Sequence, residues 1–159
     1  MDPFILREVA EGLIKNAIEN TPDGGLIEVT AEQDNTGVLL RVTDRGVGIT
    51  EENQASLLDG LFHTKETELY ATKKPFEFGA GGKGLDLLRI KYYAKRYGFD
   101  ISLKSTRCVY IPTDSDICPG NIAQCSHCNT VDDCNKSGGT TFTVTFPVGK
   151  NTGVIDERE

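Results

Sequence analysis

Val42-Thr43-Asp44-Arg45-Gly46-Val47-Gly48-Ile49 ends an apolar run on a carboxylate and then supplies two glycines spaced two apart. The residues before it, Val38-Leu39-Leu40-Arg41-Val42, suit a pleated strand, so Asp44 is expected at the strand's exit, partly buried and facing a cavity. A carboxylate there needs a donor, and a ligand amine is one way to supply it. Gly46 and Gly48 would let the backbone turn sharply and approach a flat ring closely. The plainer alternative is a strand-end turn in which the Asp bonds its own backbone.

A second glycine cluster follows downstream, Gly79-Ala80-Gly81-Gly82-Lys83-Gly84, running directly into Leu85-Asp86-Leu87-Leu88-Arg89-Ile90. A flexible loop that opens a helix presents unpaired backbone N–H groups and the positive end of the helix dipole, which together attract anions. Lys83 adds a point charge. Either glycine cluster alone is a weak signal, but two of them after an Asn-bearing helix, in this order, are far more specific.

Assembled in this way, the chain resembles the catalytic, ATP-binding domain of sensor histidine kinases, within the GHKL group of ATPases that includes type II topoisomerases and Hsp90-like chaperones. Asp2-Pro3-Phe4-Ile5-Leu6-Arg7 through Gly12-Leu13-Ile14-Lys15-Asn16-Ala17 is similar to the family's asparagine box. Asp44 to Gly48 resembles its first glycine box, Phe62-His63-Thr64-Lys65 its short Phe-containing box, and Gly81-Gly82-Lys83-Gly84-Leu85 its second glycine box. Gly139-Thr140-Thr141-Phe142-Thr143-Val144-Thr145-Phe146-Pro147 is similar to the closing strand.

The resemblance implies ATP and magnesium as cofactors, with Asn16 as the catalytic residue and magnesium ligand. It implies nucleotide contacts from Asn20, Asp44, Gly46, Gly48, Ile49, Phe62, Thr64, Lys65, Gly81, Gly82, Lys83, Gly84, Leu85 and Thr140, with Asp44 accepting from the adenine amino group. The implied partners are a histidine-bearing dimerisation domain and, downstream, a response regulator.

The chain has 159 residues and a formal charge of −7, enough for a single domain with one core. That charge argues against a nonspecific nucleic-acid binder, which needs clustered Lys and Arg. No apolar run approaches the roughly 20 residues needed to span a bilayer, and no signal segment opens the chain. A cytoplasmic piece without direct membrane contact is expected, excised from a parent that has its own anchor or none. The resembling family usually carries a strand pair ahead of the first helix, and here the sequence opens at that helix.

In chain order, Leu6, Val9, Ala10, Leu13, Ile14 and Ala17 recur at helical steps and predict a helix over 3–20 with one face on a sheet. Strands are expected over 26–32 and 37–43 as a hairpin, then a short helix over 51–61. The segment 62–82 has no clean period and is read as a functional lid. A second long helix over 84–97 and strands over 99–105 and 140–146 complete a two-layer α/β sandwich, with helices on one face of a mixed sheet.

An insertion over 107–137 carries all five cysteines, and four of them form Cys118-x6-Cys125-x2-Cys128-x5-Cys134. The Cys-x2-Cys centre suits two thiolates on one metal, and the outer pair could complete a zinc or an iron–sulfur site, with His127 as a substitute ligand. Disulfides and free thiols are the alternatives. A segment of Asp, Asn, Gly and Ser with few apolar residues is expected to need such a staple.

The function implied is donation of the ATP γ-phosphate to a histidine on a separate domain, catalysed by positioning and charge neutralisation. The alternative is a non-catalytic nucleotide-binding or metal/redox-sensing module on the same fold. Relatives that hydrolyse ATP by themselves place a Glu four residues before the box asparagine, where this chain has Gly12. Glu11 lies one residue off and points about 140° away from Asn16 at helical spacing, a poor general base. Glu19, Asn20 and Asp86 also depart from the kinase pattern, in the direction of weaker nucleotide binding.

Overall fold

Asp2 opens the first helix, α1 (Pro3–Asn20), by accepting a hydrogen bond from the Phe4 N–H at 2.9 Å. Pro3 is tolerated in the first turn because the N–H it lacks would have no helical partner there. The structure, a computed structural model, describes residues 2–35, 37–59 and 85–147. After α1 come β1 (Ile27–Gln33), β2 (Gly37–Asp44), α2 (Glu51–Asp59), α3 (Leu85–Tyr97), β3 (Asp100–Thr106), α4 (Val131–Ser137) and β4 (Gly139–Pro147).

The sheet runs in the order β1-β2-β4-β3. A mixed sheet was expected, yet all three neighbouring pairs are antiparallel. The reason is topological: β1 and β2 form a hairpin, and β4 returns between β2 and β3, running against both. The hairpin is closed by Asp34, whose N–H donates to the Gly37 carbonyl and whose carboxylate accepts from the Gly37 N–H, both at 3.0 Å.

Strand β4 alternates strictly, burying Thr140, Phe142, Val144 and Phe146. Leu40 and Val42 of β2 join those apolar side chains against Ile5, Val9, Leu13 and Ala17 of α1 and Ile90 of α3 in one core. That is the expected two-layer α/β sandwich. Across the helical layer, Arg89 pairs with Glu8 at 3.3 Å.

The insertion over 107–137 has apolar and polar ties of its own. Ile111 and Ile122 are buried, and α4 starts on a capping box in which Thr130 and Asp133 satisfy each other's backbone N–H groups. Arg107 donates to the carbonyls of Ile111, Thr113, Asp116 and Gly48, tying the insertion to itself and to the turn after β2.

Candidate functional site

Asp44 closes β2 and is 1% exposed. Its Oδ1 accepts from the Gly46 N–H at 3.0 Å, and the Thr140 backbone also donates to it. Burial outweighs these donors and pushes the carboxyl up to about 6. The plain strand-end turn is therefore present, but it leaves a buried carboxylate that is still short of donors.

The turn after Asp44 is pinned to the end of α1. The Val47 N–H donates to the Asn20 carbonyl at 3.1 Å, and a side chain at Gly46 would put its Cβ 2.0 Å from that same oxygen. One turn earlier, Asn20 Nδ2 donates to the Asn16 carbonyl at 2.8 Å, with the Asn16 Oδ1 at 3.4 Å. Both asparagines are half-buried. Asn16, Asn20, Asp44, Gly46 and Gly48, far apart in sequence, thus belong to one connected structure.

Thr140 is the register partner of Asp44 and is buried beside it. Behind it stands Ser105, which sequence reasoning missed. Its hydroxyl donates to the Gly139 carbonyl at 3.0 Å, accepts from the Ile49 N–H at 2.9 Å and lies 2.9 Å from the Thr140 hydroxyl. Since Ser105 has one proton and spends it on Gly139, Thr140 is the donor in that last bond. Ser105→Ala is expected to cost about 1–3 kcal/mol, because the Ile49 N–H and the Thr140 hydroxyl lose their acceptor. A urea denaturation midpoint would register it.

Phe62, Thr64, Lys65, Gly81, Gly82, Lys83 and Gly84, and with them the lid over 62–82, lie outside the described residues. Leu85 opens α3. Asp86 in its first turn is paired with Arg89.

The cysteines are all unpaired as disulfides and together line one cavity of about 330 Å³, which Pro22, Gly46 and Val47 also line. Among the described residues no group of three or more His, Cys, Asp or Glu is arranged to hold a metal ion. The expected zinc or iron–sulfur centre on Cys118, Cys125, Cys128 and Cys134 is therefore not supported. Cys128 neighbours Cys125 and Cys134, while the Cys108 thiol donates to the Ser137 hydroxyl at 3.3 Å. His127 stacks on Tyr110 with ring centroids 5.4 Å apart.

The profile described as "Histidine kinase-, DNA gyrase B-, and HSP90-like ATPase" matches residues 1–150. The chain belongs to this family. Among curated relatives in this ATPase family, the sensor-like histidine kinase SenX3 of Mycobacterium tuberculosis (strain ATCC 25618 / H37Rv) is 29% identical over 96 residues, 60% of this chain and 22% of SenX3. The sensor histidine kinase ZraS of Escherichia coli (strain K12) is 35% identical over 104 residues, 65% of this chain and 19% of ZraS. The chain thus spans about a fifth of the length of these relatives. Its fold is similar to that of a mycobacterial sensor histidine kinase, MprB, with a TM-score of 0.56 at 18% identity over 93% of this chain and 77% of that one. It is also similar to the catalytic domain of histidine kinase ThkA in a nucleotide-free form, with a TM-score of 0.53 at 21% identity over 92% and 67%.

Within this ATPase family, the position four residues before Asn16 is crowded here: a Cβ on Gly12 would lie 3.0 Å from Ile90 Cδ1 in the core. Glu11 is engaged elsewhere, paired with Arg7 at 2.6 Å, and that hydrogen bond holds its carboxyl below the ordinary value. Gly12→Glu is expected to destabilise the domain by about 2 kcal/mol or more through overpacking and a charge at a buried position, without gaining ATP hydrolysis. Chemical denaturation and a phosphate-release assay on the same preparation measure the two effects.

Proposed function

We propose that residues 1–159 form the ATP-binding, phosphoryl-donating domain of a sensor histidine kinase. The observation that carries this reading is the buried, donor-poor Asp44 joined through the Gly46 turn to the asparagine-bearing end of α1. In it, Asp44 accepts from the adenine amine, Thr140 and Ile49 lie at the base, and Gly46 and Gly48 bring backbone beneath the ring. Asn16 offers an amide oxygen suited to a magnesium ion that keeps most of its coordination from phosphates and water, with Asn20 beside it as a nucleotide contact. The ion would neutralise charge on the phosphates. Phe62, Thr64, Lys65, Gly81, Gly82, Lys83, Gly84 and Leu85 cover the triphosphate.

The phosphoryl acceptor is a histidine on a separate dimerisation domain, and a response regulator receives the group next. That the relatives are sensor histidine kinases supports these partners. No helix among the described residues is long and apolar enough to cross a membrane. A cytoplasmic location, in a parent that carries any anchor elsewhere, fits the partners. A nucleotide-binding regulator without phosphotransfer is the second reading, favoured by Asp86, whose charge opens the helix that follows the second glycine cluster.

Calorimetric titration with a non-hydrolysable ATP analogue, with and without magnesium, tests nucleotide binding. Adding the dimerisation domain of a parent kinase and labelled ATP then tests transfer. Magnesium-dependent binding followed by a labelled histidine is expected. Failure to bind sinks both readings, and binding without transfer leaves only the second.

A further inference from the structure

The insertion meets the candidate nucleotide site through a shared cavity wall. All five cysteines line a space of about 330 Å³ together with Gly46 and Val47 from the turn that follows Asp44. Val47 is buried against Ile111, with Cys108 and Cys118 packed on the pair. The Cys108 N–H donates to the Val47 carbonyl at 2.8 Å, and Arg107 reaches the Gly48 carbonyl at 3.3 Å. On the far side, the Asp23 N–H donates to the Gly120 carbonyl at 2.8 Å and the Ile122 N–H to Asp23 at 3.3 Å. The insertion is thus bonded both to the segment after α1 and to the turn after β2.

Cys125 and Cys128 are three residues apart and both line the cavity, with Cys128 neighboured by Cys125 and Cys134. Cys125 is half-exposed and Cys128 is buried. Burial acts to raise the Cys125 thiol, but the N–H groups of His127 and Cys128 and the Cys128 thiol donate to it and hold it below its ordinary value. Cys128 is pushed up to about 12, by burial first and then by its bond to Cys125. A half-buried thiol and a buried one, three residues apart on the wall of one cavity, have the placement of an attacking and a resolving cysteine.

We propose that Cys125 and Cys128 form a dithiol–disulfide couple, oxidised by a low-molecular-weight disulfide entering this cavity, whose state is transmitted to the Gly46–Gly48 turn. In the first step the Cys125 thiolate attacks one sulfur of the small disulfide, forming a mixed disulfide and expelling one thiolate. Cys128 then loses its proton and attacks Cys125, forming the intramolecular bond and expelling the second thiolate. The two protons released by the protein end on the two small thiols, so one disulfide is reduced as one is made. Closing the bridge reshapes the cavity wall that Cys125 and Cys128 share with Cys108 and Cys118, which hold Val47, and so loosens the turn. The effect on nucleotide rests on the function proposed above; the disulfide itself does not.

The test equilibrates the full chain in buffers of reduced and oxidised glutathione, quenches by alkylation and maps the bridges by mass spectrometry. Two of the five thiols are expected to disappear into a Cys125–Cys128 bridge. Cys125→Ser and Cys128→Ser should each abolish it, and Cys134→Ser should retain it. If the buried Cys128→Ser variant misfolds by circular dichroism, the half-exposed Cys125→Ser variant decides. No bridge, a Cys128–Cys134 bridge, or stoichiometric zinc or iron shielding the thiols in the purified protein overturns the couple. Affinity for a non-hydrolysable ATP analogue is expected to be about five-fold weaker in the oxidised form, the lower end of ordinary coupling between sites. Equal or tighter binding overturns the transmission. Absence of binding in both forms, with the bridge present, overturns the ATP reading instead.

Discussion

Asp44→Asn is expected to weaken binding of an ATP analogue by roughly 30- to 1,000-fold while leaving the unliganded domain at least as stable at pH 7. The affinity loss follows from removing a charged acceptor worth about 1.5–3 kcal/mol and from turning an amide N–H toward the incoming amine, about 2–4 kcal/mol in all. The stability effect has the opposite sign. Burial raises the folded-state carboxyl from 3.8 to about 6, so the folded state binds the proton more tightly than the unfolded chain. The stability this contributes is complete below pH 3.8 and is lost as pH rises through about 6, amounting to about 3 kcal/mol. Asn does not titrate, and its Oδ1 can still accept from the Gly46 N–H. The parent's decline in stability between those two pH values should therefore flatten in the variant. Calorimetric titration and urea denaturation across pH 3.5–7.5 measure both effects. A variant that loses binding because it is less stable than the parent at pH 7 would contradict a buried Asp44 carboxylate short of donors.

Gly48→Ala carries the second large effect. Gly48 has a φ of 65°, and a Cβ there would lie 1.8 Å from the Thr106 carbonyl oxygen. Because the obstructing atom is backbone, no rotamer change relieves the clash. Gly98, which ends α3 with a φ of 67°, has nothing within 4 Å of the same imaginary atom. Gly98→Ala should then cost only the conformational term, about 1 kcal/mol. Gly48→Ala should cost about 3–5 kcal/mol, a fall in Tm of roughly 6–20 °C. Thermal unfolding of the two variants side by side separates the steric contribution from the conformational one, and similar Tm values would mean that the close approach to Thr106 costs nothing.

The helices and the hairpin were legible because their signals are local. The apolar steps of α1 and the alternation of β2 each depend on a few neighbouring residues, and Asp44 could be placed at a strand's end from the run that precedes it. The position of β4 between β2 and β3 was not legible, since no local pattern says which edge a returning strand will choose, and a mixed sheet fits the same strands equally well. Ser105 escaped notice because a serine near the end of an alternating strand carries no mark of the three groups it will meet. Arg107 escaped for the same reason.

The insertion was read from its composition as lacking a core, and the helix α4, started by the Thr130–Asp133 capping box, was not expected. Cys-x2-Cys has the spacing of metal ligands, but spacing cannot say whether four sulfurs will converge on one point or associate two at a time. In the fold, Cys128 is turned toward Cys125 and Cys134.

The order of protons along the hydroxyls behind Asp44 has a consequence for which base the proposed site would accept. Ser105 commits its hydrogen to Gly139 and so draws the hydrogen of Thr140 toward itself, leaving the Thr140 oxygen with only lone pairs to offer. Beside an ionised Asp44, that makes this wall purely electron-rich. In the proposed site a purine bearing an exocyclic amine would find matching partners there, whereas one bearing a carbonyl at the same position would meet oxygen with oxygen, so that a serine touching neither would favour adenine over guanine.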